Sequence, residues 1–159
     1  MSLRRALVVD NNAGLAETVA EILAGSGFEV DIASSGVEAL GVWRRRPADL
    51  VVLDVDLPDI GGLRLARRLL RRRADCKLLV MSAGDPQVLL GPCERLGATL
   101  LTKPFSPAHL TATIRLILAC DFRACPVARA GVRPPRRLLG PRTPRALLQQ
   151  GRASRGGRS

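Results

Sequence analysis

The sequence predicts an α/β protein: a doubly wound (βα)5 three-layer sandwich whose middle layer is a parallel five-stranded sheet. Three observations predict it. Short runs rich in Leu, Val and Ile alternate with segments of helical periodicity from residue 6 to residue 118. Several runs are apolar at consecutive positions, as strands buried on both faces require. With 47% hydrophobic but only 3% aromatic residues, the core must be aliphatic, which suits helices layered on a sheet.

The strand runs are ALVVD (6–10), FEVDIA (28–33), DLVVLD (49–54), KLLVMS (77–82) and TLLT (99–102). Between the first and second, Leu15, Val19, Ile22 and Leu23 recur at helical spacing. Val37, Leu40 and Trp43 mark the second helix, with Trp43 expected against the sheet or over its edge. The third carries Leu63, Ala66, Leu69 and Leu70, and the fourth Val88, Leu89 and Leu96. A fifth helix follows Phe105, because Ser106 suits an N-cap and Pro107 a first turn, with Leu110, Ile114, Ile117 and Leu118 on its inner face. His109 is expected on its exposed side.

Charge divides the chain. Residues 1–120 hold 15 Lys/Arg against 13 Asp/Glu, whereas residues 121–159 hold 10 Arg and one Asp, so the net +11 belongs mostly to the tail. That tail is crowded with Arg, Pro and Gly and lacks sustained periodicity, so it is expected to be disordered beyond a folded unit at 1–120. Arg44, Arg45 and Arg46, like Arg71, Arg72 and Arg73, follow apolar helix faces. Positive charge near a helix C-terminus complements its dipole, and these arginines are expected to be solvated structural charge.

Cys76, Cys93, Cys120 and Cys125 form no CxxC pair and no zinc-finger spacing with His109, so they are expected to be reduced thiols. The N-terminal MSLRRALVVDNN is too briefly apolar for a signal-peptide core, and no stretch reaches the length of a membrane span. A cytoplasmic protein with no membrane contact is the expectation.

In a doubly wound sheet the carboxyl ends of neighbouring strands converge on one crevice. Strand one ends in Asp10 and Asn11, strand three in Asp54, strand four in Ser82, and Lys103 follows strand five. Carboxylates, a hydroxyl and an ammonium thus meet at one rim. A carboxylate there can act as a nucleophile toward a phosphoryl donor if cations offset the charge on the phosphoryl oxygens, and Asp54 is the candidate. Mg2+ takes oxygen ligands, a role open to Asp10, Asn11, Asp54 and the backbone carbonyl of Asp56. Lys103 would hold one phosphoryl oxygen and the Ser82 hydroxyl another. Ser82 is also a candidate helix cap beside Gly84, Asp85 and Pro86.

At these positions the sequence resembles the response-regulator receiver family. VVDNN (8–12) resembles its acidic-pocket motif, and the third strand run with VDLPDIGG (55–62) its phosphoacceptor loop. VMSA (80–83) resembles its switch-hydroxyl motif and LTKPF (101–105) its lysine motif. Four motifs in order, each at the end of the expected strand, make a specific signal over residues 4–119. The resemblance implies a flavodoxin-like sheet, Mg2+-dependent phosphorylation of Asp54 and a cis Lys103–Pro104 bond. Three departures stand beside it. Asn11 replaces the family's second acid, which removes a negative charge and is expected to lower metal affinity and phosphorylation rate. Residues 97–103 are about one residue shorter than the family norm, which would shift the lysine. Leu100 or Leu101 stands where the family often has an aromatic.

The leading expectation is a stand-alone receiver, not an enzyme, that takes phosphate from a histidine kinase or histidine phosphotransfer protein and signals to a downstream protein. The alternative is a pseudo-receiver, a binding module with weak or no phosphorylation. A third reading gives the arginine tail salt-dependent, sequence-independent nucleic-acid binding; with so few aromatics for base stacking, it ranks as an accessory.

Overall fold

The computed structural model describes residues 4–119. The expected tail at 121–159, with Cys120 and Cys125, lies outside the described residues. Five strands alternate with five helices. In chain order these are β1 (Arg4–Val9), α1 (Ala13–Gly25), β2 (Phe28–Ala33), α2 (Gly36–Arg45), β3 (Leu50–Asp54), α3 (Gly62–Arg72), β4 (Lys77–Ser82), α4 (Pro86–Leu96), β5 (Thr99–Thr102) and α5 (Pro107–Ala119). All paired strands are parallel, in the order β2-β1-β3-β4-β5. This is the doubly wound three-layer architecture the alternation predicts.

Alternation along each strand divides the core in two. Ala6, Val8, Leu50, Val52, Leu79 and Met81 face α1 and α5, packing on Val19, Leu23, Leu110 and Ile114. Their neighbours Leu7, Val9, Val51, Leu53, Leu78 and Val80 face α2, α3 and α4, against Trp43, Leu65, Leu69 and Cys93. Leu50, Val51, Val52 and Leu53 are fully buried, so β3 sits at the centre of both layers. Burial of each such side chain contributes roughly 1.5–3 kcal/mol, which makes β3 the best-anchored platform for a residue at its end.

Local chemistry sets the helix starts. Asn12 accepts from the Leu15 N–H at 3.2 Å to open α1, and Ser35 accepts from the Glu38 N–H to open α2. Asp85 accepts from the Gln87 N–H to open α4, and Ser106 Oγ accepts from the His109 N–H at 3.1 Å to open α5. Gly97, at φ 68°, ends α4 in the left-handed region that glycine adopts without a Cβ penalty.

Two inner faces differ from the periodicity. On α4, Cys93 is the buried residue and Val88 is 67% exposed, because Cys93 and Leu96 are the residues packed into the core. On α2, Val37 is 64% exposed while Gly36, Ala39 and Trp43 are buried. Gly36 packs against the loop after β3, where an added Cβ would lie 2.9 Å from Ile60 Cβ, while Ala39 and Trp43 pack into the core. His109 is exposed, as expected. Cys76 and Cys93 are buried free thiols. Desolvation pushes the Cys76 thiol up to about 12, and burial likewise raises that of Cys93, so both are held protonated.

Candidate functional site

The β1–β3 register pairs Ala6 with Leu50 and Val8 with Val52. Two residues further on, Asp10 comes beside Asp54 on the α1 and α5 side of the sheet. Asp10 is 2% and Asp54 5% exposed, so both carboxylates are almost out of water. From beyond β5, Lys103 reaches them: its Nζ lies 3.3 Å from Asp10 Oδ2 and 3.3 Å from Asp54 Oδ2. The Lys103 N–H donates to the Ser82 carbonyl at 2.8 Å, which ties the lysine to the end of β4. The Lys103–Pro104 peptide is cis, and the short segment before it leaves the ammonium between the two acids.

Each carboxylate uses its other oxygen locally. Asp10 Oδ1 accepts from the Asn12 N–H at 2.8 Å, and Asp54 Oδ1 from the Asp56 N–H at 3.2 Å. Two buried acids thus share one ammonium, leaving an uncompensated negative charge in a poorly hydrated rim. Removing charge from water is costly unless it is paired, so this arrangement favours a further cation. The donors are hard oxygens, the type Mg2+ selects. Asn11 is exposed and neutral, and among the described residues no cluster of three acidic, His or Cys side chains is arranged to hold a metal. A cation here would rely on two carboxylates and neutral oxygens. Mg2+ is commonly held by only one or two carboxylates, so the residues present fit it.

Ser82 closes β4 beside Thr102 and is buried. Its hydroxyl accepts from the Gly84 N–H at 2.9 Å and is not joined to Asp10, Asp54 or Lys103. The cap of α4 is Asp85, so Ser82 serves the turn before that helix. Leu101 is buried in the α1–α5 layer, and Leu100 packs half-buried on the opposite layer.

Sequence reasoning missed Gly62 and Asp59. The Gly62 N–H donates to the Val55 carbonyl at 2.9 Å, bringing its backbone so close that an added Cβ would lie 2.1 Å from the Asp54 carbonyl oxygen. Asp59 reaches across to α2, where its two oxygens accept from the Gly36 and Val37 N–H groups at 2.8 Å each. Those N–H groups are donors that a helix N-terminus leaves unpaired. The GG pair after PDI was a visible turn signal; the cap across 22 residues of chain was not.

The response regulator receiver domain model matches residues 6–115. Transcriptional regulatory protein CreB of Escherichia coli (strain K12) is 35% identical over 114 residues, covering 70% of this chain and 49% of that protein. The alkaline phosphatase synthesis transcriptional regulatory protein PhoP of Bacillus subtilis (strain 168) is 34% identical over 126 residues, covering 77% and 52% respectively. The chain therefore spans about half the length of these relatives. A CheY-like receiver domain protein from Methanospirillum hungatei JF-1 superposes with a TM-score of 0.67 at 27% identity, covering 72% of this chain and 92% of its own. The BeF3-activated DrrB receiver domain gives 0.68 at 26% identity, covering 75% of this chain and all of its own. The parallel strand order, the paired strand-end acids and these likenesses lead to one conclusion: the chain belongs to the response regulator receiver domain family.

Proposed function

We propose that this chain is a phosphoacceptor receiver in which Asp54 takes a phosphoryl group from a histidine kinase or histidine phosphotransfer protein. One observation carries the reading: two buried carboxylates from adjacent strands share the single ammonium of Lys103 at 3.3 Å. A surface base is shared between acids without cost, as Arg73 is between Asp49 and Asp75, because those acids keep access to water; Asp10 and Asp54 do not. The second acid is explained if the site exists to receive a cation and a phosphoryl group.

Receiver domains are signalling modules that generally bind Mg2+ at the phosphorylation site. In this chain Asp10, Asp54, Asn11 and the Asp56 carbonyl would hold it. When bound, it would supply positive charge to the phosphoryl oxygens. An Asp54 carboxylate oxygen forms the new P–O bond as the donor's P–N bond breaks, and the departing imidazole keeps that electron pair and takes up a proton to leave neutral. Lys103, already between the acids, would turn part of its attraction to the incoming phosphoryl oxygens. The Ser82 hydroxyl would exchange its bond with the Gly84 N–H for one donated to the phosphoryl group, carrying the change toward α4. Downstream protein contacts would read that change. Among the described residues no helix is long and apolar enough to cross a membrane.

The test is intact-mass measurement after incubation with Mg2+ and acetyl phosphate, beside Asp54→Ala. A single hydroxylamine-labile phosphoryl adduct on the parent alone is expected. Absence of adduct, together with absence of Mg2+ binding, would sink the proposal and leave a pseudo-receiver, which the neutral Asn11 would then explain.

A further inference from the structure

Away from the acidic rim, a groove of about 270 Å³ opens between α2 and α3, lined by Leu40, Trp43, Arg44, Arg68, Arg71 and Arg72. Both helices run from the carboxyl rim of the sheet to the opposite one, and these residues occupy their later turns. The groove therefore belongs to the far end of the molecule from Asp54. No carboxylate lines it, and none of the four arginines makes an ion pair among the described residues. Beneath them Trp43 is 1% exposed, and its buried Nε1 has no hydrogen-bond partner among the described residues.

Helix dipoles do not account for this much charge. Each helix C-terminus carries roughly half a negative charge, so two of them balance about one of the four guanidiniums. The solvated-charge reading explains arginines spread over a helix surface. It does not explain four of them converging, unpaired, on one concave site. Arg68, Arg71 and Arg72 are three and four residues apart on α3 and so share a face, while Arg44 closes the groove from α2.

We propose that this groove is a binding site for a compact polyphosphate group, recognised through its phosphates. Guanidinium forks match phosphate oxygens bidentately, and four of them complement a group bearing three to four negative charges. A volume of about 270 Å³ has room for a di- or triphosphate. A buried Trp43 ring offers no open face to stack a base, so an attached nucleoside would remain outside the groove and contribute little. Free inorganic polyphosphate and the phosphate chain of a nucleotide present the same chemistry here.

Trp43 also supplies the readout, because the chain has one Trp and no Tyr. Titration of the full chain with tripolyphosphate, followed by Trp43 emission, is expected to give a saturable change that weakens as salt is added. Sulfate at matched ionic strength should leave the emission unchanged. ATP binding as tightly as tripolyphosphate supports recognition through phosphates alone; markedly tighter ATP binding shows base recognition and overturns that part of the proposal. Arg68→Ala/Arg71→Ala should weaken the response at least about tenfold with circular dichroism unchanged, and the lysine pair at the same positions should restore part of it. An equal response in the alanine variant overturns the groove as the site. Response to duplex DNA or anionic vesicles without saturable response to tripolyphosphate overturns the choice of ligand.

Discussion

The two ends of the sheet use the same side-chain chemistry to opposite purposes. At the amino ends, Arg5 pairs with Asp31 at 2.7 Å, Arg46 with Glu29 at 2.5 Å, and Arg73 with Asp49 at 2.6 Å. Asp49 also accepts the Arg5 N–H at 2.8 Å, while its own N–H donates to the Arg5 carbonyl. Arg73 also reaches Asp75 at 3.1 Å and Arg5 lies 3.9 Å from Glu29, so bases are shared here too, but every one of these acids keeps access to water. At the carboxyl ends, Asp10 and Asp54 are buried and divide one ammonium between them. The first arrangement keeps its charges in reach of water and fastens helix ends to the sheet. The second leaves charge unbalanced where it costs most, and sites that bind and react retain such costs while structural ones shed them.

Disrupting the packing under the acidic rim should give the largest effect. Gly62→Ala puts a Cβ 2.1 Å from the Asp54 carbonyl oxygen, a backbone atom that cannot swing aside. Overpacking usually costs 1–3 kcal/mol, and a clash with backbone belongs at or above the upper end, about 3 kcal/mol. Urea denaturation should register that loss, and phosphorylation should fall with it. An unperturbed midpoint would mean that the loop after β3 relaxes freely and that its closeness to Asp54 has no structural weight.

Neutralising one acid at each rim tests the comparison directly, with opposite signs expected. Asp10→Asn leaves Asp54 alone with Lys103 and relieves the surplus charge, so stability should rise by about 1 kcal/mol while Mg2+ no longer raises the melting temperature. Asp49→Ala should lower stability by roughly 1 kcal/mol, a modest figure because the Asp49 side chain is 39% exposed and solvent screens its pairing. Burial pushes the Asp49 carboxyl up, but hydrogen bonds from the Arg5 N–H and the Arg73 guanidinium outweigh it and hold the group below its ordinary 3.8. A depressed acid stabilises the fold above its unfolded value and loses that contribution as pH falls through the folded one. The Asp49→Ala deficit should therefore be full at neutral pH and close in acid. Two losses of equal sign would erase the distinction between the rims.

Much of this was legible in the sequence because strands write their burial directly. FEVDIA, KLLVMS and TLLT coincide with β2, β4 and β5, and the acids at the ends of the first and third runs meet as the topology requires. Helix faces were less legible. Cys93 reads as a thiol in the sequence and is packed as a small hydrophobe, while Val37 fits the apolar spacing of α2 but is exposed, with Ala39 and Trp43 in the core and Gly36 against the loop after β3. Tertiary contacts carry the rest. The closeness of Gly62 to the Asp54 backbone, the reach of Asp59 to α2 and the convergence of Arg44 with the arginines of α3 depend on distances between elements, which periodicity within one element does not encode.

Asp59 gives the smallest expected effect and the finest test, because it lies at the carboxyl rim yet is matched as fully as any acid at the other end. The N–H groups of Ile60, Val37 and Gly36 hold its carboxyl below the ordinary 3.8. Asp59→Asn keeps one acceptor oxygen and removes the charge that complements the α2 dipole, so the melting temperature should drop slightly at neutral pH. As pH falls through the depressed folded value the parent loses the same contribution, and the two melting curves should converge. Hydrogen exchange should show α2 opening more readily at its first turn, while the Asp54 adduct still forms. If adduct formation instead collapses with the melting curve unchanged, then Asp59 acts on the chemistry by holding the loop that carries Asp56. In that case position at the rim, rather than completeness of charge matching, is what separates the two ends of the molecule.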